Sequence, residues 1–146
     1  MKISTAGIEF IKKFEGLRLQ AYLCPAGVWT IGYGSTQISG RSVTPKDVIS
    51  NEMAEILLKN DLMRFEKLVS KRISVTLNQN QFDALVSHSF NTGGSDTLFE
   101  LINSKATDFS IRNWIETRYT TANGIPLKGL IDRRRKEAEV YFALSY

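Results

Sequence analysis

The hydrophobic period of this chain switches twice within its first third, and that switch limits the fold more than any other feature. Ser4 or Thr5 can cap a helix, and Ile8, Ile11 and Phe14 recur at helical spacing as far as Glu15; Gly16 follows as a stop. Beyond it the period is that of a strand, with Leu17, Leu19, Ala21 and Leu23 alternating with Arg18, Gln20 and Tyr22. Cys24-Pro25-Ala26-Gly27 reads as a turn, and Val28 to Tyr33 as a second strand rich in β-branched and aromatic residues. Gly32, Gly34 and Gly40 mark a loop-rich end to this small sheet.

Helical spacing then returns. Thr44-Pro45 is expected to open a helix, with Thr44 as cap and Pro45 in the first turn. Its apolar positions continue through Met53, Ile56, Leu57, Phe65, Leu68 and Val69, with a break near Ser50-Asn51. Asn78 to Gln81 has the form of a capping box, with Leu77 and Phe82 placed as a hydrophobic staple. Phe82, Leu85, Val86 and Ser89 define the next helix face, which Gly93-Gly94 ends. Shorter helices are expected over 96–103 and 108–119, a turn at Asn123-Gly124, and a last helix from about Leu127 to Leu144. The pattern is α+β: a mostly helical chain with a small antiparallel β-lobe near the N-terminus. The expected organisation is a single domain over 1–146, with the β-lobe at about 16–45 and a helical lobe at about 46–146 plus helix 4–15.

A chain of 146 residues is long enough to bury a core without cross-links. One cysteine excludes an internal disulfide and a Cys-rich zinc site, and the single His88 leaves no His-based metal site, so no metal or cofactor is expected. No apolar run approaches the ~20 residues of a membrane span, so no stable membrane insertion is expected. The N-terminus enters an amphipathic pattern at once and lacks the apolar stretch of a secretory signal, which reads as synthesis in the cytoplasm. A net charge of +4 favours anionic partners: a bacterial wall, nucleic acid or an acidic membrane. The basic run Arg133-Arg134-Arg135-Lys136 reads as a solvated face rather than a nucleic-acid patch, since no recognition motif flanks it.

Two charged residues sit where apolar ones belong. Glu15 lies four residues from Ile11 and seven from Ile8, so it falls on the apolar face of the first helix, and it stands at the negative end of the helix dipole. Partial desolvation and the dipole both disfavour the charged form, the combination an acid catalyst needs. A carboxylate paired with an arginine for structure alone fits the same position. Arg134 lies in the inward stripe of the last helix with Leu130, Ile131, Ala138 and Tyr141; it requires a partner, Glu137 locally or Glu15 at long range. Cys24 fits a buried filler or a partly exposed thiol near chemistry. His88 has no Ser, Cys or Asp partner in a nucleophile motif and reads as structural or surface. Trp29, Tyr33 and Trp114 can fill core or stack on sugar rings.

The segment from Glu15-Gly16-Leu17-Arg18 through Cys24 to Thr30-Ile31-Gly32-Tyr33-Gly34 resembles the catalytic segment of the phage-type lysozymes, the muramidase endolysins. Their pattern is a Glu, eight residues, an Asp or sometimes Cys, five residues, then a Thr; here these are Glu15, Cys24 and Thr30. Asn80-Gln81-Phe82-Asp83-Ala84-Leu85 leading into Phe90-Asn91-Thr92-Gly93, and Gly129-Leu130 through Arg133-Arg134 to Glu137, are similar to the family as well. The resemblance implies a two-lobed lysozyme-like domain that cuts the β-1,4 bond between N-acetylmuramic acid and N-acetylglucosamine of peptidoglycan. It implies Glu15 as general acid, Thr30 as holder of a water or the sugar, and Cys24 in place of the second carboxylate. It also implies that an arginine of the last helix, Arg134 or Arg133, supports the acid. Asn91 lines the cleft or caps its helix.

Glycoside hydrolysis usually needs two carboxyl groups. With a thiol at the second position three routes are open: nucleophile, base on water, or placeholder that orients water. A lytic transglycosylase and a non-catalytic wall-binding homologue are the alternative readings. The expected working form is a monomer that binds no nucleic acid, and the resemblance implies a separate holin for access to the wall.

Overall fold

The computed structural model describes residues 1–144. It folds into two compact units, Ile8–Arg64 and a second made of Met1–Gly7 with the chain from Phe65 onward.

In the first unit, α1 (Thr5–Glu15) starts in the neighbouring segment and runs as the Ile8 and Ile11 spacing requires; both are buried. Ser4 Oγ accepts the Gly7 amide at 3.0 Å and caps it. At the other end Gly16 adopts φ +65°, the left-handed conformation that ends many helices. β1 (Arg18–Leu23) and β2 (Trp29–Gly32) pair antiparallel, with Tyr22 opposite Thr30 and Leu23 opposite Trp29. A second hairpin, β3 (Gln37–Ile38) and β4 (Arg41–Ser42), turns at Ser39-Gly40, both at positive φ. This hairpin is not legible as strands in the sequence, since two-residue strands carry no period. The unit's core is Ile31, Val43 and Leu57, with Ala21, Trp29, Ile38, Ile49 and Met53 packed against it.

The helix expected from Thr44-Pro45 begins later: α2 runs Asn51–Arg72. Residues 47–49 pair with β1 instead. The Ala21 amide donates to Asp47 O and the Ile49 amide to Leu19 O, at 3.0 and 2.9 Å. Asp47 takes a two-pronged Arg41 contact, both arms 2.9 Å, and the Thr44 amide at 2.7 Å, so its carboxyl is held far below the ordinary carboxylate range. The true cap of α2 is Ser50, whose Oγ accepts the Met53 amide.

In the second unit, α3 (Gln79–Thr92) has the foreseen capping box: Asn78 Oδ1 accepts the Gln81 amide and Gln81 Oε1 accepts the Asn78 amide. Every residue from Phe82 to Ser89 is buried, which makes α3 the central helix of this unit. α4 (Asp96–Asn103) and α5 (Asp108–Thr117) are capped by Ser95 and Thr107. β5 (Thr121–Ala122) and β6 (Ile125–Pro126) form a hairpin around the foreseen Asn123-Gly124 turn, and α6 (Lys128–Tyr141) packs on α3 and α5. The chain start is tied to this unit. Asp83 accepts the Ser4 amide, the Ser4 hydroxyl and Gln79 Nε2, while Glu66 Oε2 accepts the Ile3 amide at 2.7 Å.

Candidate active site

Glu15 is the last residue of α1 and is half-buried, as expected for a carboxylate at the edge of the Ile8–Ile11 stripe. Beyond β2 the chain folds back on itself. Ile31 and Ser35 exchange both backbone hydrogen bonds, 2.8 and 2.9 Å, so the residues between them form a tight loop with Gly32 at φ +67° and Gly34 at φ +94°. This loop comes up to the acid: a Cβ placed on Gly34 would sit 3.8 Å from Glu15 Oε2. The loop that follows the strand carrying Thr30 thus lies beside the Glu15 carboxyl.

Cys24 occupies the β1–β2 turn, where its amide donates to Val28 O and its carbonyl accepts the Gly27 amide. The thiol is half-buried. The Val28 backbone amide holds it below the ordinary thiol range; burial opposes this, and the Ala26 amide, the Thr30 hydroxyl and the Gly27 amide add to it. Thr30 is buried, and its Oγ1 also donates to Val28 O at 2.9 Å. A hydroxyl has one proton to give, so Thr30 serves either the carbonyl or the thiolate. Cys24 and Thr30 are brought together; the spacing argument placed both on this hairpin.

Two further groups frame the loop. Ser35, which is 1% exposed, donates to Asp61 Oδ2 at 2.6 Å, and burial pushes the Asp61 carboxyl up against the opposing pull of Ser35 and Arg64. Asp61 was missed from the sequence, although it lies one turn beyond Leu57 and beside Leu58 and Leu62, all buried. The apolar-stripe part of the argument that picked out Glu15 applies to it; the helix-dipole part does not, since Asp61 lies mid-helix. Lys12 bridges Glu55 (2.7 Å) and Glu9 (2.9 Å) and lies 5.6 Å from the Tyr33 ring centroid; the two carboxylates hold its ammonium well above the usual lysine range.

In the second unit Arg134 is fully buried, as its place in the α6 stripe demands. Its Nε lies 3.0 Å from Glu137 Oε1 and its Nη2 donates to Asn91 Oδ1, so Arg134 and Asn91 are brought together. Arg133 is buried as well, which corrects the expectation of a solvated basic face: only Arg135 and Lys136 of that run are exposed. Arg133 reaches Glu137 Oε2 at 3.4 Å and Ser87 O at 3.3 Å, and Ser87 Oγ donates to the same Oε2 at 2.6 Å. Desolvation nonetheless pushes the Glu137 carboxyl up, against the two arginines. His88 is structural, not surface. It is 2% exposed, within 6.1 Å of Trp114 and 5.6 Å of Tyr119 ring to ring, and burial aided by Arg134 and Arg133 lowers it to about 3. Trp29 packs against the first unit's core. Among the described residues no cluster of metal-ligating side chains is present.

A half-buried carboxyl at a helix end, bordered by the loop that follows a hairpin bearing a hydroxyl and a thiol, suits cleavage of a glycosidic bond, where an acid and a second group divide the work. On an α+β frame of this kind the class is a lysozyme-like glycosidase. Residues 12–137 match the phage lysozyme family, and the chain belongs to that family. It is 38% identical to an endolysin of Acyrthosiphon pisum secondary endosymbiont phage 1, over 97% of this chain and 98% of that one. Among solved structures it is similar to a point mutant of P22 lysozyme (TM-score 0.87, 34% identity, 98% of this chain and 99% of that one). It is also similar to the muramidase domain of SpmX from Asticaccaulis excentricus (TM-score 0.85, 38% identity, 98% and 99% covered). The chain spans about half the length of two Bacillus phage endolysins, 55% and 54%.

Proposed function

We propose that the chain is a muramidase endolysin, a peptidoglycan hydrolase that cuts the β-1,4 bond between N-acetylmuramic acid and N-acetylglucosamine and so lyses bacteria. The observation that carries the reading is the approach of the Gly34 loop to Glu15 Oε2, which ties the Cys24–Thr30 hairpin to the acid. Glu15 gives its proton to the glycosidic oxygen as the C1–O bond breaks. Cys24, as thiolate, takes a proton from a water that adds to C1, and Thr30 holds that water; one water is consumed. Arg134, fixed by Glu137 and Asn91, has a supporting role, and Asn91 serves as its partner or as a substrate contact. Residues 1–146 act as one lysozyme-like domain, as a monomer, without cofactor or nucleic acid. The chain is made in the host cytoplasm and passes a separate holin to the wall.

Product analysis of digested sacculi tests this reading. A free reducing muramic acid with inverted anomeric configuration is expected. Retained configuration makes Cys24 the nucleophile, and a 1,6-anhydro end or no release of reducing ends rejects the hydrolase. Lysis on induction only when a holin is co-expressed is the expected result for the export route; lysis without one rejects it.

A further inference from the structure

The loop beside Glu15 does little to hold its own shape. Gly32 and Gly34 both take positive φ, and glycine admits many other conformations. Tyr33 between them is only half-buried. The paired backbone bonds of Ile31 and Ser35 close the loop at its base. A side-chain bond then fixes it to the middle of α2: the buried Ser35 donates its hydroxyl to Asp61 Oδ2 at 2.6 Å.

Packing alone does not account for a carboxylate at this place in α2. Leu57 and Leu58, one turn before Asp61, are both buried, and an apolar side chain would continue their stripe without a desolvation penalty. Burial pushes the Asp61 carboxyl up, so its charged form is kept there against that penalty. Its hydrogen bond goes to the loop whose Gly34, given a Cβ, would place it 3.8 Å from Glu15 Oε2. A loop so close shields one side of the acid and limits the directions its carboxyl can take.

We propose that Asp61 is a positioning residue for the general acid: through Ser35 it fixes the Gly32–Gly34 loop beside Glu15, and proton delivery depends on that placement. This rests on the muramidase reading above, in which Glu15 is the acid.

The test measures kcat and KM of the full chain on soluble glycan strands, beside the melting midpoint of each variant. Ser35→Ala removes the donor and Asp61→Leu the acceptor; each should lower kcat about ten- to a hundredfold, as a misplacement of about 1 Å does. KM should stay within about twofold, since the lost interaction serves the reacting step rather than binding. Asp61→Asn keeps an oxygen that accepts from Ser35 and should recover most of kcat. The double variant Ser35→Ala/Asp61→Leu should lose no more than either single one, because both remove the same bond. Asp83→Ala, which breaks the carboxylate contacts of the second unit, is the control for stability alone: below its melting midpoint it should keep the wild-type kcat. If Ser35→Ala does not fold, Asp61→Asn against Asp61→Leu carries the comparison, and if Asp61→Leu does not fold, Ser35→Ala carries it. Wild-type kcat in the variants that fold, a loss confined to KM, a loss in Asp61→Asn equal to that in Asp61→Leu, or a kcat that follows the melting midpoint across the set with Asp83→Ala included overturns the proposal. Wild-type protein that releases no reducing ends overturns the muramidase reading itself, and this proposal with it.

Discussion

Cys24 meets polar groups of its own hairpin, the Val28, Ala26 and Gly27 amides and the Thr30 hydroxyl, and these favour its thiolate. If the thiolate works on water, activity is lost as pH falls through the thiol's lowered value. Cys24→Ser should then cut kcat by about 10²–10⁴, the usual weight of a general base. Cys24→Asp should restore activity and move the acid limb of the pH profile downward, because a carboxyl ionises near ~3.9; full activity in Cys24→Ser would mean a placeholder. Glu15→Gln should abolish release of reducing ends with the melting midpoint unchanged. His88 makes a separate pH prediction. Its folded value, about 3, lies below the ~6.5 of an unfolded histidine, so its contribution is complete above pH ~6.5 and lost progressively as pH falls toward 3. Urea midpoints should fall less steeply between about pH 6 and 4 in His88→Gln than in wild type, by up to about 1.4 kcal/mol per pH unit. Glu15 and Arg134 were legible because each interrupts an apolar stripe. Arg133 was not, since its cover includes Ser87, 46 positions earlier in the chain, which the spacing of α6 does not report. Cys24 acquired meaning only from its spacing to Glu15 and Thr30.

Helix ends were the most readable elements, since cap chemistry is local. Asn78→Ala should cost about 1 kcal/mol in a urea titration, as loss of an N-cap does. The Gly93-Gly94 stop separates two effects. Gly93 has φ +90° and open space, so Gly93→Ala should cost about 1–2 kcal/mol for conformation alone. Gly94 has φ +96°, and its added Cβ would lie 2.7 Å from Leu68 Cδ2, so Gly94→Ala should cost more. The start of α2 was misplaced for a tertiary reason. Thr44-Pro45 has cap chemistry, but its backbone neighbours pair with Leu19 and Ala21, residues far earlier in the chain, and Ser50 is the working cap.

For the molecule as a whole, α+β class and the order of the helices and of the β1–β2 hairpin followed from period, while the two-residue strands and the ties between distant segments did not. Asp83 holds the Ser4 amide across 79 positions of sequence. Asp83→Ala leaves Ser4 and Gln79 donors without their acceptor and should cost about 2–3 kcal/mol, read from the urea midpoint. The net charge of +4 predicts that sedimentation of the protein with sacculi weakens as sodium chloride is raised. The chain's lone sulfhydryl is Cys24, set in the hairpin turn within reach of Thr30. A thiol-specific dye therefore labels this protein at one place, at most one equivalent per chain. The pH dependence of that labelling reports the charge of the sulfur directly, with no sugar present and nothing else in the chain to confuse the count.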